Sequence, residues 1–235
     1  MAMADMRREY SAGSLRRAQL NPDPLAQFRH WFAQAAGAES GSRLRRVGIA
    51  LFKLWHALLG HPPVDATAMT LATADAAGRP STRAVLLKGV DERGFVFFTN
   101  FGSRKGRELA ANPRAALTLY WPDLERQVCV AGAVTRLPRA ESEAYFRSRP
   151  RGSRISAWAS NQSDAVADRV ALEKKWAEFA AKFPGDDIPT PPDWGGYVLK
   201  PERIEFWQGR PSRLHDRFSY TRQPDGAWKL ERLAP

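Results

Sequence analysis

Cysteine and glycine-rich phosphate loops are what this sequence of 235 residues lacks most clearly. A single cysteine excludes a disulfide framework and a cysteine-based metal site. Neither GxxxxGKS/T nor GxGxxG occurs, so side chains would have to hold any bound phosphate. Cys129 lies in RQVCVAGAV, which alternates like a strand. We interpret it as a small core residue, and the alternative is a nucleophile.

Long hydrophobic runs are absent as well. The most apolar window, residues 47–60, is interrupted by Lys53 and His56 and is shorter than the roughly 20 apolar residues of a spanning helix. The basic N-terminus has no apolar stretch behind it of the kind found in a secretory signal. We therefore expect no transmembrane segment and a cytoplasmic protein.

Positive charge is abundant, with a formal net charge of +11 at pH 7. Such a surface attracts nucleic acid, anionic lipid or phosphorylated small molecules, and the charge alone does not choose among them. We expect no nucleic acid partner, because binding one gives no purpose to the 8 tryptophans or to cations embedded in strands.

The spacing of apolar residues predicts one domain behind a short arm. Residues 1–20 are basic and polar and are predicted to form a mobile N-terminal arm, and residues 21–235 to form a single domain. Asp23 and Pro24 predict the start of a helix. Residues 43–60 predict an amphipathic basic helix. It could pack on the body or on a partner subunit, or lie on a membrane surface, which we regard as the weaker alternative.

From residue 66 the apolar period changes to that of strands. Five strands are predicted in AMTLATAD, PSTRAVLLKGV, GFVFFTN, RAALTLYW and RQVCVAGAVTRL, with a helix in SRKGRELAAN. Further helices are predicted in RAESEAYFRSRP, SRISAWASNQ and ADRVALEKKWAEFAAKF, and further strands in GGYVLKP, RIEFWQG, RLHDRFSYTR and GAWKLERL. This order favours an α+β fold in which a split antiparallel barrel is flanked by helices.

Cations recur beside hydroxyl residues in four clusters, STRAVLLK, TNFGSRKGR, YFRSRPRGSR and SRLHDR. Arg83 and Lys88 would face opposite sides of an unbroken strand, serving two ligands or one ligand and solvent. Ser103 is a helix cap followed by Arg104 and Lys105, which are unfavourable in a first turn unless an anion binds there. Together with the tryptophans, the clusters favour a flat, ring-bearing phosphate ester as ligand.

These motifs follow one another in a recognisable order. RREY, RAVLLKG, FFTNFGSRKGREL, LERQVCVAG, YFRSRPRGSRISAWAS, WGGYVLKPERIEFWQG and RLHDRF resemble the pyridoxamine 5'-phosphate oxidase family over nearly the whole chain. The resemblance implies an FMN-binding split β-barrel, antiparallel and Greek-key-like, in a homodimer with FMN at the subunit interface. It further implies oxidation of pyridoxamine and pyridoxine 5'-phosphates to pyridoxal 5'-phosphate by O2, with release of H2O2.

The resemblance also implies the site residues. FMN contacts are expected at Arg83, Val85, Leu86, Leu87, Lys88, Phe98, Thr99, Arg104, Lys105, Gln127, Gln162, Ser163, Trp207 and Arg217. Gln162, Ser163, Trp207 and Arg217 are expected to come from the other subunit. The substrate phosphate is expected at Lys88, Tyr145, Arg149 and Ser153. Arg213 and His215 are the expected catalytic residues at the substrate ring, and Arg7, Arg8 and Tyr10 are expected to fold over the occupied site.

Two alternatives and two departures accompany this interpretation. The chain could be a split-barrel flavin oxidase of another substrate, such as a phenazine-pathway enzyme, and His215 could be a structural residue bonded to Asp216. Phe98 stands where the family usually has Tyr. Residues 40–63, which contain the helix predicted at 43–60, are an insertion relative to the family's usual spacing. His30, His56 and His61 have no carboxylate or cysteine partners at ligand spacing, so we interpret them as structural and expect no metal.

Overall fold

The computed structural model describes residues 9–37 and 65–235. Arg7, Arg8 and the predicted helix at 43–60 lie outside these residues. Within the two described ranges, no helix is both long and apolar enough to cross a membrane.

In the described ranges, nine strands form one antiparallel sheet. They are β1 (Ala68–Ala74), β2 (Pro80–Leu86), β3 (Gly89–Asp91), β4 (Gly94–Asn100), β5 (Arg114–Trp121), β6 (Arg126–Arg136), β7 (Trp194–Gln208), β8 (Asp216–Arg222) and β9 (Trp228–Leu233). The order is β2-β1-β5-β6-β7-β4-β3. The sheet forks at β7, whose first half pairs with β4 and whose second half pairs with β8.

Five α-helices accompany this sheet in the described part of the chain: α1 (Pro24–Ala35), α2 (Arg104–Ala111), α3 (Arg139–Ser148), α4 (Arg151–Ala159) and α5 (Arg169–Lys182). Both predicted caps are confirmed. The Asp23 carboxylate accepts from the backbone N–H groups of Leu25 and Ala26, and the Ser103 hydroxyl accepts from that of Gly106. The predicted α+β fold is confirmed.

The main core lies inside the curl of the sheet. Leu71 on β1, Phe97 on β4, Leu117 on β5 and Phe206 on β7 are fully buried in one cluster. Helix α1 closes this cluster with Phe28, whose ring meets that of Phe95 edge-on at 4.8 Å. Because strands from the whole sheet share this core, the sheet curls around it as a barrel does.

Three predicted strand boundaries are wrong. The stretch PSTRAVLLKGV is not one strand but β2 and β3, which are separated by Leu87 and Lys88. GGYVLKP and RIEFWQG are one strand, β7, in which the register against β6 shifts beside Pro201. Proline has no N–H for the sheet, so a bulge is where a long strand tolerates it. Strand β8 begins only at Asp216, after a short 3-10 turn at Pro211–Arg213.

The prediction that Cys129 lies in the core is also wrong. Its neighbours Val128 and Val130 point into the core, so the alternating strand turns Cys129 to the other face, where it is half-buried. Its sulfur lies 3.5 Å from Thr118 Oγ1 and 3.3 Å from Gln127 Nε2. Partial burial raises the pKa of the Cys129 thiol, which disfavours the thiolate that a nucleophile requires.

Candidate active site

A cavity of about 920 Å³ is enclosed by β2, the end of β4, the first turn of α2, the junction of α3 and α4, and the loop after α4. Thirteen of the residues expected at the site line it: Arg83, Val85, Leu86, Lys88, Phe98, Thr99, Arg104, Lys105, Tyr145, Arg149, Ser153, Gln162 and Ser163. Leu87 is buried beside them, and its backbone N–H donates to the Thr67 carbonyl. The sequence motifs therefore converge on one place.

Arg83 and Lys88 both line this cavity, although an unbroken strand would turn them apart. The break after β2 is the reason. The Leu87 N–H donates to the Thr67 carbonyl, and the next N–H, that of Lys88, donates to Val96 on β4. The chain thus crosses from one strand neighbour to another between these residues. One cavity therefore receives both cations.

Lys105 lies in the first turn of α2 and is almost fully buried, with 5% of its surface exposed. Its ammonium donates to Gln162 Oε1 at 2.8 Å, to Thr99 Oγ1 at 3.1 Å and to Ser103 Oγ at 3.3 Å. Burial, and to a smaller degree Arg83, lowers the pKa of Lys105 to about 8. A buried ammonium at a helix N-terminus, held only by neutral groups, is suited to an anionic ligand.

Gln162 and Ser163 belong to the cavity of their own chain. Gln162 binds Lys105, and the Ser163 hydroxyl accepts from the backbone N–H of Arg104 at 3.1 Å. These two side chains were expected to come from the other subunit, but their position at this cavity does not require a second subunit. Ser163 holds a φ of 79°, a left-handed conformation that is uncommon for a residue with a side chain.

Glu108 is a buried carboxylate at the edge of the cavity that the sequence interpretation missed. It accepts hydrogen bonds from Arg83, Arg104, Ser81 and Thr73. Burial raises its pKa, but these hydrogen bonds outweigh burial and lower the pKa to about 2. The signal in the sequence was the spacing of Arg104 and Glu108, four positions apart on one helix face.

A second group of cavity residues surrounds Arg149, at the end of α3. The guanidinium lies 4.9 Å from the centre of the Trp194 ring, and its Nη1 is buried without a hydrogen-bond partner among the described residues. Tyr145 stacks between this region and Phe98, with its ring centroid 3.9 Å from that of Phe98. Ser153 adds a hydroxyl to the same wall. A buried guanidinium nitrogen without a protein partner is suited to an anionic acceptor.

Trp207, Tyr10 and His215 form a separate aromatic cluster. The Trp207 and His215 rings are 4.7 Å apart, and Tyr10 meets each of them edge-on at 5.6 Å. Gln127, Trp207 and Arg217 are neighbours across β6, β7 and β8. Arg217 is held by Glu205, at 2.8 Å from Nε to Oε1. Within the described residues, this cluster does not line the cavity of its own chain.

His215 and Arg213 lie in the turn before β8. The backbone N–H of Arg210 donates to Nδ1 of His215 at 3.1 Å, so in the neutral ring Nε2 carries the proton and can donate outward. Ser212 and Arg213 both have left-handed backbones, with φ of 55° and 60°. The described residues contain no group of three or more His, Cys, Asp or Glu side chains suited to a metal ion.

Comparison with known proteins identifies the chain. Residues 63–183 match the family described as pyridoxamine 5'-phosphate oxidase. The chain belongs to this family. Residues 194–235 match the family's C-terminal dimerisation region, which holds Trp207, Arg213, His215 and Arg217. The predicted resemblance is therefore confirmed.

Relatives in the pyridoxamine 5'-phosphate oxidase family match along their full length. The pyridoxine/pyridoxamine 5'-phosphate oxidase 1 of Ralstonia nicotianae is 54% identical over 234 residues, covering 100% of this chain and 99% of the relative. The pyridoxine/pyridoxamine 5'-phosphate oxidase of Pseudomonas paraeruginosa is 52% identical, with 100% and 99% covered.

Solved structures confirm the predicted split barrel. PhzG from Burkholderia lata, solved with tetrahydrophenazine-1-carboxylic acid, has a TM-score of 0.77 and 30% identity, with 94% of this chain and 98% of PhzG covered. A pyridoxamine 5'-phosphate oxidase-related, FMN-binding protein from Nostoc punctiforme has a TM-score of 0.60 at 22% identity, with 84% of this chain and 100% of that chain covered, which supports the fold alone.

Proposed function

We propose that this protein is an FMN-dependent oxidase that converts pyridoxamine 5'-phosphate and pyridoxine 5'-phosphate to pyridoxal 5'-phosphate. The alcohol loses two hydrogens to O2, which becomes H2O2, whereas the amine also consumes water and releases ammonia. The observation that carries the proposal is one cavity with two groups of cations, one joined through Glu108 and one around Arg149. Two phosphorylated ligands, a cofactor and a substrate, account for both groups.

The residues around Lys105 fit the phosphate end of FMN. Arg83, Arg104 and Lys105 supply three cations, and Lys105 is held among neutral groups although it is buried. Charge-assisted hydrogen bonds from such groups are the strong contacts that a phosphate dianion forms. The chemistry that FMN supplies is removal of two electrons from the substrate carbon bearing the amine or hydroxyl, and their transfer to O2.

The residues around Arg149 fit the phosphate of the substrate. Arg149 and Lys88 supply charge, and Tyr145 and Ser153 add neutral donors. The unpartnered Nη1 of Arg149 gains an acceptor when a phosphate binds, which removes the cost of its burial. Binding energy at the phosphate then orients the rest of the substrate, the part on which the chemistry occurs.

Arg213 and His215 are proposed to act at the substrate ring. In its neutral form His215 offers an Nε2–H donor of fixed direction, because Nδ1 is occupied by Arg210. Arg213 supplies positive charge that favours negative charge developing on the ring. Tyr10 packs against His215, so Arg7, Arg8 and Tyr10 remain proposed to cover the substrate.

Dimerisation is proposed to complete the site. The match to a dimerisation region supports a homodimer. Trp207, Arg213, His215 and Arg217 all lie in that region, and in a dimer they would reach the cavity of the partner subunit. Gln127 lies beside Trp207 and is proposed to reach the partner subunit's cavity together with it. A cytoplasmic location remains a prediction from the sequence.

The phenazine-pathway alternative has one observation in its favour, the similarity to PhzG at 30% identity. Relatives above 50% identity carry the oxidase name instead. The grouping of Arg149, Tyr145, Ser153 and Lys88 also supports a phosphorylated substrate. We therefore retain the vitamin phosphates as the proposed substrates.

The test is aerobic turnover of the purified, FMN-loaded protein. We expect pyridoxine 5'-phosphate to yield aldehyde and H2O2 in equal amounts. Unphosphorylated pyridoxine is the matched control, and we expect its kcat/KM to be lower by at least about a hundredfold, since it lacks the charged contacts. No turnover with FMN firmly bound would reject the substrate, and equal use of both compounds would reject the proposed role of Arg149.

A further inference from the structure

We propose that Glu108 is a positioning residue that fixes Arg83 and Arg104 for the phosphate of FMN. The inference rests on the proposed function, in which these two cations bind that phosphate. Glu108 itself lies behind them and is not among the residues that line the cavity in the described structure. Its role is to set the direction of two side chains that do line it.

The two carboxylate oxygens of Glu108 bind two different arginines. Oε1 accepts from Arg104 Nε at 2.8 Å, and Oε2 accepts from Arg83 Nη2 at 3.3 Å. Oε2 also accepts from Ser81 Oγ at 2.6 Å. One carboxylate therefore joins the first turn of α2 to strand β2. Only 6% of the Glu108 surface is exposed, so water competes little for these bonds.

The two arginines keep donors for a ligand while they are held. Arg104 reaches Glu108 through Nε, and among the described contacts its two Nη groups are left for an anion. Arg83 is fixed more fully, because its Nη groups also donate to Ser81 Oγ, Thr73 Oγ1 and the Leu71 carbonyl, which leaves its Nε for a ligand among the described contacts. Both forks are thereby oriented before a ligand arrives, which reduces the entropy lost when a phosphate binds.

A purely electrostatic role for Glu108 makes the opposite prediction. Its pKa of about 2 means that the carboxylate is ionised at neutral pH, so it repels a nearby phosphate. If charge alone mattered, replacing Glu108 by Gln would tighten FMN binding. If orientation matters, the same change weakens FMN binding, because an amide nitrogen cannot accept from arginine.

The experiment compares FMN with riboflavin, which has the same ring system without the phosphate. FMN-free, full-length protein and Glu108→Gln are titrated with each flavin, and quenching of flavin fluorescence gives the dissociation constants. We expect Glu108→Gln to bind FMN about tenfold more weakly, as loss of charged hydrogen bonds implies, with riboflavin affinity unchanged. Glu108→Asp keeps the charge but shortens the reach, and we expect it to weaken FMN binding too.

Glu173→Gln is the matched control. Glu173 accepts from Arg169 four positions earlier on α5, as Glu108 does from Arg104 on α2, but its side chain is 60% exposed. We expect no change in the affinity for either flavin. Unchanged or tighter FMN binding by Glu108→Gln would overturn the inference, and so would equal losses of FMN and riboflavin affinity. Failure of the unmodified protein to bind FMN would instead reject the proposed function itself.

Discussion

Phe98 and Tyr145 stack face to face, with ring centroids 3.9 Å apart and 21° between the ring planes. Phe98 comes from β4 and Tyr145 from α3. The stack therefore holds Tyr145, which is proposed to bind the substrate phosphate, against the sheet. Phe98→Ala should raise the KM for pyridoxine 5'-phosphate roughly twofold to tenfold, the range expected for one aromatic pair. Phe98→Tyr keeps the ring and is the control. A weaker hold on FMN with unchanged KM would contradict this role.

Arg149→Met should weaken substrate binding and make the FMN-free protein more stable. Loss of the buried cation should raise the KM for pyridoxine 5'-phosphate by roughly tenfold to a hundredfold, the range for hydrogen bonds to a charged group. In the FMN-free variant the free energy of unfolding by urea should be higher by about 1 kcal/mol, since a buried donor without a partner is removed. Arg147→Met, at an exposed position on α3, should change neither quantity. An unchanged KM would remove Arg149 from the substrate site.

FMN affinity should fall as the pH rises above about 8. Burial lowers the pKa of Lys105 to about 8 in the FMN-free protein. A bound phosphate dianion favours the charged amine, so above this pH binding must take up a proton. Titrations from pH 7 to pH 9.5 should show constant affinity up to pH 8 and a decline above it. Lys105→Arg, which stays charged, should lose the decline, and a decline that persists in that variant would exclude Lys105 as its source.

The same lowered pKa predicts the pH dependence of stability without FMN. Between about pH 8 and pH 10.5 the unfolded chain holds the Lys105 proton more tightly than the folded protein does. Burial of the charged amine therefore costs stability below pH 8, and this cost is relieved as the pH rises through that window. Urea unfolding of FMN-free protein and Lys105→Met across the window measures it. Lys105→Met should have the higher free energy of unfolding below pH 8, and its advantage over the unmodified protein should shrink as the pH rises to 10.5.

Mixed dimers test whether the site is shared between subunits. Arg213→Leu alone should reduce turnover strongly while FMN remains bound. If Arg149 and Arg213 meet only across the interface, a mixed dimer of Arg149→Met and Arg213→Leu has one site with both changes and one with neither. Random exchange of subunits should then restore about a quarter of the unmodified turnover. No recovery would show that both residues act within one chain.

The sequence predicts the first turn of α2 well because every signal there is local. Ser103, Arg104 and Lys105 are consecutive, and cations after a helix cap point to an anion at the helix start. Glu108 could not be assigned in this way, because two of its partners, Thr73 and Ser81, lie 35 and 27 positions away in the chain. Only the folded sheet brings these hydroxyls to the helix.

The break between β2 and β3 is another feature that local pattern does not predict. RAVLLK is uniformly suited to a strand, and nothing in it marks Leu87 as a crossing point. The break arises because two successive N–H groups find acceptors on different neighbours, Thr67 and Val96. The cluster of Tyr10, Trp207 and His215 likewise depends on contacts between distant parts of the chain.

Strand β7 carries Trp194 at its first residue and Trp207 near its end, so a single rigid element separates the cavity wall from the aromatic cluster. At about 3.3 Å per residue, the strand between the two tryptophans is roughly 43 Å long when followed along its curve. Adding or removing one residue between them would turn every following side chain to the opposite face. Insertions and deletions should therefore be far less tolerated in this strand than in residues 184–193 before it, a segment with four prolines.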